Sequence, residues 1–171
     1  VTMAEDSSAW PLVTKGADQG GLGFDSKWNM GWMNDTLSYM KLDPIYRKAV
    51  HDKLTFAMFY AFSENYIMPV SHDEVVHGKK SLIDKQFGSY NQKFAGFRAF
   101  NLWHMTHPGK KMSFMGCEYG QFREWDYENE LEWFMLDYPA HDALKNFTCA
   151  LNNFYLENRE LWDDDFSWEG F

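Results

Sequence analysis

Tyr66-Ile-Met-Pro-Val70 is an apolar run that stops abruptly in Ser71-His-Asp-Glu74 and continues as Val-Val-His-Gly-Lys-Lys80. Apolar strands closed by ionisable groups suit a parallel sheet, which is buried on both faces and presents its chemistry at strand carboxyl ends. The same grammar recurs along the chain. Val1–Ala4 runs into Glu5-Asp-Ser-Ser8, Leu22-Gly-Phe24 ends at Asp25, and Lys111–Cys117 ends at Glu118.

Helical patterns separate these stretches. The segment holding Trp28, Trp32 and Met33 reads as helical. Asp43-Pro44 is a cap followed by a first-turn proline, and Leu54, Met58, Ala61 and Phe62 continue at helical spacing to about Glu64. Phe94, Phe97, Phe100 and Trp103/His104 mark another helix, closed by Pro108-Gly109, and Leu144, Phe147, Leu151 and Phe154 mark a last one. Residues 78–91 read as a loop with a short helix, and 120–137 as loops. Strand–helix alternation predicts an α/β fold with a parallel sheet. Four strands with acidic carboxyl ends predict half of an eight-stranded barrel, a fold of about 250 residues when whole.

Composition narrows the partners. With 25 acidic against 16 basic residues, a net charge of −9 argues against nucleic acid, which demands clustered Lys and Arg. No apolar stretch has the length of a membrane span, so no membrane partner is expected. Cys117 and Cys149 are too few for a disulfide framework and read as small buried residues of a reducing compartment. No His or Cys spacing suits a metal. His51, His104, His107 and His141 read as structural. Aromatic residues make up 19% of the chain. Most such rings belong to a core, but exposed ones stack well on sugar rings.

Ala4-Glu5-Asp6-Ser7 and Ser71-His72-Asp73-Glu74, with the extended string Val75-Val-His-Gly-Lys-Lys-Ser81, resemble the α-amylase superfamily of retaining glycosidases and glycosyltransferases. The resemblance is closest to its 1,4-α-glucan branching enzymes. It is strengthened by Gly20-Gly-Leu-Gly-Phe24 with Lys27-Trp-Asn29, by Met40-Lys-Leu-Asp-Pro44, and by Phe114-Met-Gly-Cys-Glu118 with Arg123-Glu-Trp125. It covers essentially the whole chain and implies a partial (β/α)8 TIM barrel, roughly strands 5–8 with their helices. Residues 1–160 would be the carboxyl-terminal half of the catalytic barrel. Residues 161–171 would begin the linker to a carboxyl-terminal β-domain.

Retaining cleavage of a glycosidic bond uses a nucleophile and an acid that later acts as base. The resemblance implies that Glu5 is that acid/base and that Asp73 stabilises the cationic transition state, with His72 donating to a sugar hydroxyl. Trp28, Trp32, His77 and Lys79 are candidate substrate-binding residues. The family's nucleophile is an Asp in an Arg-x-Asp-Ala motif that this sequence does not contain. The expectation is therefore a piece of a cytoplasmic branching enzyme, inactive alone, acting on α-glucan (glycogen, amylose) without cofactor. A related amylase-type hydrolase, a non-catalytic glucan-binding module and a self-associating half barrel with open sheet edges are the alternatives.

Overall fold

A computed structural model describes residues 1–170. Strands β1 (Met3–Ala4), β2 (Ser26–Trp28), β3 (Tyr66–Met68) and β4 (Lys110–Lys111) form one parallel sheet in that order. Ala4 lies opposite Lys27, Trp28 opposite Ile67, and Met68 opposite Lys111. All four carboxyl ends thus share one edge of an α/β layer, as the alternation predicts. Five α-helices accompany the sheet: α1 (Met30–Lys41), α2 (Pro44–Arg47), α3 (Asp52–Thr55), α4 (Tyr90–Thr106) and α5 (Pro139–Glu157).

Local signals explain the helix starts. The Asn29 side chain accepts from Trp32 N at 2.9 Å and opens α1. Asp43 does the same for Ile45 N at 3.0 Å, ahead of Pro44. Gln92 Oε1 reaches back to Ser89 N at 2.8 Å where α4 begins.

Several expectations are corrected. The second strand is Ser26–Trp28, not Leu22–Phe24. Gly20 and Gly23 hold φ of 79° and 78°, and Leu22 N and Phe24 N bond back to the carbonyls of Leu12 and Val13. Residues 22–24 are therefore spent on closing a loop. Asp25 consequently precedes β2, at the edge opposite to the one expected, where its carboxylate accepts from Thr2 N at 2.5 Å. The fourth strand is shorter than Lys111–Cys117, although Val70 N to Met112 O at 3.0 Å extends the pairing by one step. Gly116, at φ 86°, then turns the chain into a 3₁₀ turn that carries Glu118.

The expected continuous helix over 45–64 is instead α2 and α3 alternating with 3₁₀ turns at Lys48–Val50 and Phe56–Tyr60. Of the positions read as inward, Ala61 is buried and Leu54, Met58 and Phe62 are half-buried, while Ala57 is buried as well. Residues 78–89 contain turns but no helix. Cys149 is exposed on α5, while burial pushes the Cys117 thiol up to about 12.

The core joins α1, β3, α4 and α5 through Trp32, Met33, Met68, Val70, Phe94, Phe97, Phe100 and Leu144. Each such side chain contributes about 1.5–3 kcal/mol on burial. The Phe97 and Phe100 rings stack at 5.8 Å. Glu64, next to β3, is buried and accepts from Val13 N and Thr14 N at 2.8 Å each. It thereby anchors the long β1–β2 connection. Burial raises the Glu64 pKa, but the bonds from Thr14 and Val13 outweigh it and hold the carboxyl below its ordinary range.

His104 and His107 behave as structural residues. His104 Nε2 sits 3.0 Å from Met68 O, and both rings pack on Trp32. Burial pushes both pKa values down to about 4. The unfolded chain takes up these protons near pH 6.5, whereas the folded chain resists until about pH 4. The stability the pair confers is therefore complete above 6.5 and drains away between 6.5 and 4. Melting temperatures measured across that range should fall with pH, and a His104→Phe/His107→Phe variant should show a flatter profile. Identical pH profiles in the two proteins would sink this account.

Candidate active site

The sheet edge gathers three of the anticipated residues, Glu5, His72 and Asp73. Glu5 follows β1 and is exposed, with no hydrogen bond or ion pair among the described residues. His72 and Asp73 follow β3 after a three-residue extension, two strands away from Glu5. Two strand spacings amount to about 10 Å.

The turn that presents His72 and Asp73 is rigidly built. Ser71 Oγ accepts from Asp73 N at 3.2 Å, and Glu74 Oε2 accepts from Ser71 N at 2.6 Å and from Ser71 Oγ at 2.9 Å. This reciprocal capping box spends the buried Glu74 on the backbone and leaves Asp73 half-exposed. His72 Nε2 lies 3.5 Å from Asp73 Oδ1. The imidazole packs edge-on against Trp125 at 5.2 Å and against Phe114 at 6.2 Å. Trp125 is itself fixed by its amide, which donates to Val75 O at 2.8 Å. The two ring contacts therefore orient His72 and leave Nδ1 without a partner among the described residues, while Nε2 faces Asp73.

Asp73 and Lys79 line an open groove of about 660 Å³, whose far wall is α1 through Met30, Asn34 and Lys41. His77 is fully exposed, with Nδ1 3.5 Å from Glu124 Oε2. Glu124 also accepts from Gly78 N at 2.8 Å and Lys80 N at 2.5 Å. These two amide bonds, Gly78 first, hold its carboxyl below the ordinary range. The loop bearing His77 and Lys79 is thus clasped from across the fold.

Trp28 is half-buried and lines a separate groove of about 530 Å³ with Trp10, Lys27, Tyr60 and Glu64. There Lys27 Nζ pairs with Asp6 Oδ2 at 3.0 Å. The bonds from Ser8 N and Lys27 draw the Asp6 pKa down to about 2. Asp6 therefore stands as a fixed anion at the foot of the Glu5 segment. Trp32 is removed from the candidate site: its ring is 1% exposed and surrounded by Phe100, His104 and His107, so no sugar can reach it. Among the described residues no group of three metal-ligating side chains forms, and no helix is long and apolar enough to cross a membrane.

No protein-family model matches the chain. Curated relatives do. The chain is 58% identical over 172 residues to 1,4-alpha-glucan branching enzyme GlgB 1 of Clostridium perfringens, covering 100% of this chain and 26% of that protein. It is 58% identical to the Halothermothrix orenii enzyme of that name, covering 99% of this chain and 27% of the relative. The Aquifex aeolicus enzyme is 56% identical with the same two coverages. Along its whole length the chain is homologous to proteins named 1,4-alpha-glucan branching enzyme. It spans about a quarter of the length of these relatives.

Two residues that shape the site were not among the sequence candidates, Glu74 and Glu124, while Trp125, weighed as a glucan-stacking ring, packs against His72. Ser71-x-x-Glu74 is a capping-box spacing and was legible in the sequence. The contacts of Glu124 and Trp125 with the 72–80 segment carry no local signal, because those partners lie 44 to 53 residues away.

Proposed function

We propose that this chain forms part of the catalytic barrel of a glycogen branching enzyme, corresponding roughly to barrel strands 5–8. Residues 1–160 supply barrel and 161–171 lead toward a further domain. The observation that carries this reading is the placement of Glu5 and of the His72–Asp73 turn on one carboxyl edge of a parallel sheet, in a chain related throughout to branching enzymes.

In this reading Glu5 protonates the departing glycosidic oxygen of an α-1,4-glucan and later takes the proton from an incoming 6-hydroxyl. Its exposed position leaves it free for both steps. Asp73, spared from capping by Glu74, places a fixed negative charge near the oxocarbenium-like centre. His72, oriented by Trp125, donates to a hydroxyl of the same ring. Lys79 lines the groove beside Asp73, and His77 and Trp28, the latter in its separate groove, serve as outer glucan contacts. The chemistry is acid/base and nucleophilic and calls on no cofactor. No Arg-x-Asp-Ala nucleophile motif occurs in the sequence, so the chain by itself forms no covalent glycosyl intermediate.

The direct test replaces the matching segment of the Clostridium perfringens relative with this chain and counts new α-1,6 linkages on amylose by NMR. The chimera should branch, and the chain alone should not. Branching by the chain alone would overturn the assignment of the nucleophile to another segment. In the chimera, Asp73→Asn should lower kcat by about 10²–10³ while amylose KM stays within a few-fold, because a transition-state charge is lost and the shape is kept. A loss confined to KM would reduce Asp73 to a binding group.

A further inference from the structure

The chain carries a net charge of −9, yet one cavity of about 480 Å³ is lined by Lys41, Lys79, Lys80, Lys85 and Lys93 against a single carboxylate, Asp84. Lys93 is neutralised there, with Nζ 3.0 Å from Asp84 Oδ1. The other four lysines have no ion-pair partner among the described residues. Lys85 is the decisive one. It is 7% exposed, and its ammonium donates to the carbonyls of Lys79 and Lys80, the latter at 2.8 Å. Carbonyl dipoles solvate the charge but do not cancel it.

The neighbouring carboxylates are otherwise engaged. Glu74 is consumed by Ser71, and Glu124 by the amides of Gly78 and Lys80 and by His77. Burial, and then the Lys41 charge, draw the Lys85 pKa down to about 8. Glu124 and Glu74 pull the other way but form no ion pair with Lys85, so burial and like charge prevail. Lys80 also holds φ 67°, a conformation that a residue other than glycine keeps only when its surroundings fix it.

The geometry points to a binding site for a phosphate monoester, with Lys85 at the floor and Lys41, Lys79 and Lys80 at the rim. A neutral sugar gains nothing from four like charges, whereas a phosphate dianion relieves their mutual repulsion in one step and is a strong acceptor for ammonium donors. The concave single cavity and the acidic remainder of the chain do not suit a nucleic-acid backbone, which needs an extended basic stripe. The site lies next to the glucan groove, with which it shares Lys41, Lys79 and Lys85, but its existence does not depend on the branching assignment.

The test is an NMR titration of the ¹⁵N-labelled chain at low ionic strength with inorganic phosphate, glucose 6-phosphate and, as neutral control, maltose. Saturable shifts centred on residues 78–88 are expected with phosphate, weakening about tenfold in Lys41→Gln/Lys80→Gln and on raising salt. Tighter binding of glucose 6-phosphate would identify a sugar ester as the ligand. Equal affinity would identify free phosphate. The inference is overturned if neither anion saturates, if the double variant binds as tightly as the parent, or if maltose alone shifts these amides.

Discussion

Glu5→Gln in the chimeric branching enzyme lowers branch formation by roughly 10³-fold, at the centre of the range for removing a general acid/base. The amide is nearly isosteric with the carboxyl and cannot donate or receive the proton. Glu5 is exposed and bonded to nothing among the described residues, so the substitution disturbs no structural contact. Thermal unfolding should therefore be unchanged. An activated donor such as α-maltosyl fluoride separates the two duties of Glu5, since fluoride leaves without protonation. Glycosyl transfer onto the enzyme should largely recover with that donor, while release to a sugar hydroxyl stays slow. Branching within tenfold of the parent, or a loss that the fluoride does not relieve, would take Glu5 out of proton transfer.

Trp32→Ala has the largest expected effect on stability, about 3–5 kcal/mol, the usual cost of emptying a buried indole site. The indole is enclosed by Phe100, His104 and His107 at centroid distances of 6.4, 5.3 and 5.8 Å. Against a total stability of about 5–15 kcal/mol, such a loss lowers the melting temperature by roughly 10 °C or more. Trp32→Phe, which keeps most of the volume, should recover much of it. Calorimetry distinguishes this from a sugar-stacking role. A Trp32→Ala variant that melts with the parent but no longer binds maltoheptaose would return the residue to the glucan site. Trp28→Ala, at a half-buried groove position, serves as the contrasting case, with binding lost and the fold retained.

Legibility differed by element for identifiable reasons. β3 and α4 were readable because each is closed by its own residues: an apolar run ending at Ser71, and an aromatic period ending at Pro108-Gly109. The region 45–60 was readable as helical turns but not in its helix type. Within a single turn both helix types bring residues i and i+3 to the same side, so a short pattern does not tell an i+3 bond from an i+4 bond. β2 was missed because Leu22-Gly-Phe24 and Ser26-Lys-Trp28 are both plausible strands locally. The choice was made by Val13 and Leu12, whose carbonyls claim the earlier triplet.

The candidate site divides in the same way. Glu5, His72 and Asp73 are recognisable from short contiguous motifs, since each motif holds both the reactive group and the strand that delivers it. Even the capping of Asp73 by Ser71 and Glu74 lies within four residues. Sequence by itself thus determined the α/β class, the parallel sheet, the family resemblance and the candidate carboxylates. Tertiary structure alone decided that Trp32 is core, that Asp25 sits at the wrong edge, that Trp125 orients His72, and that Lys85 is buried without a counter-ion. Burial and charge compensation are sums over neighbours distant in the chain, and a local pattern contains none of those terms.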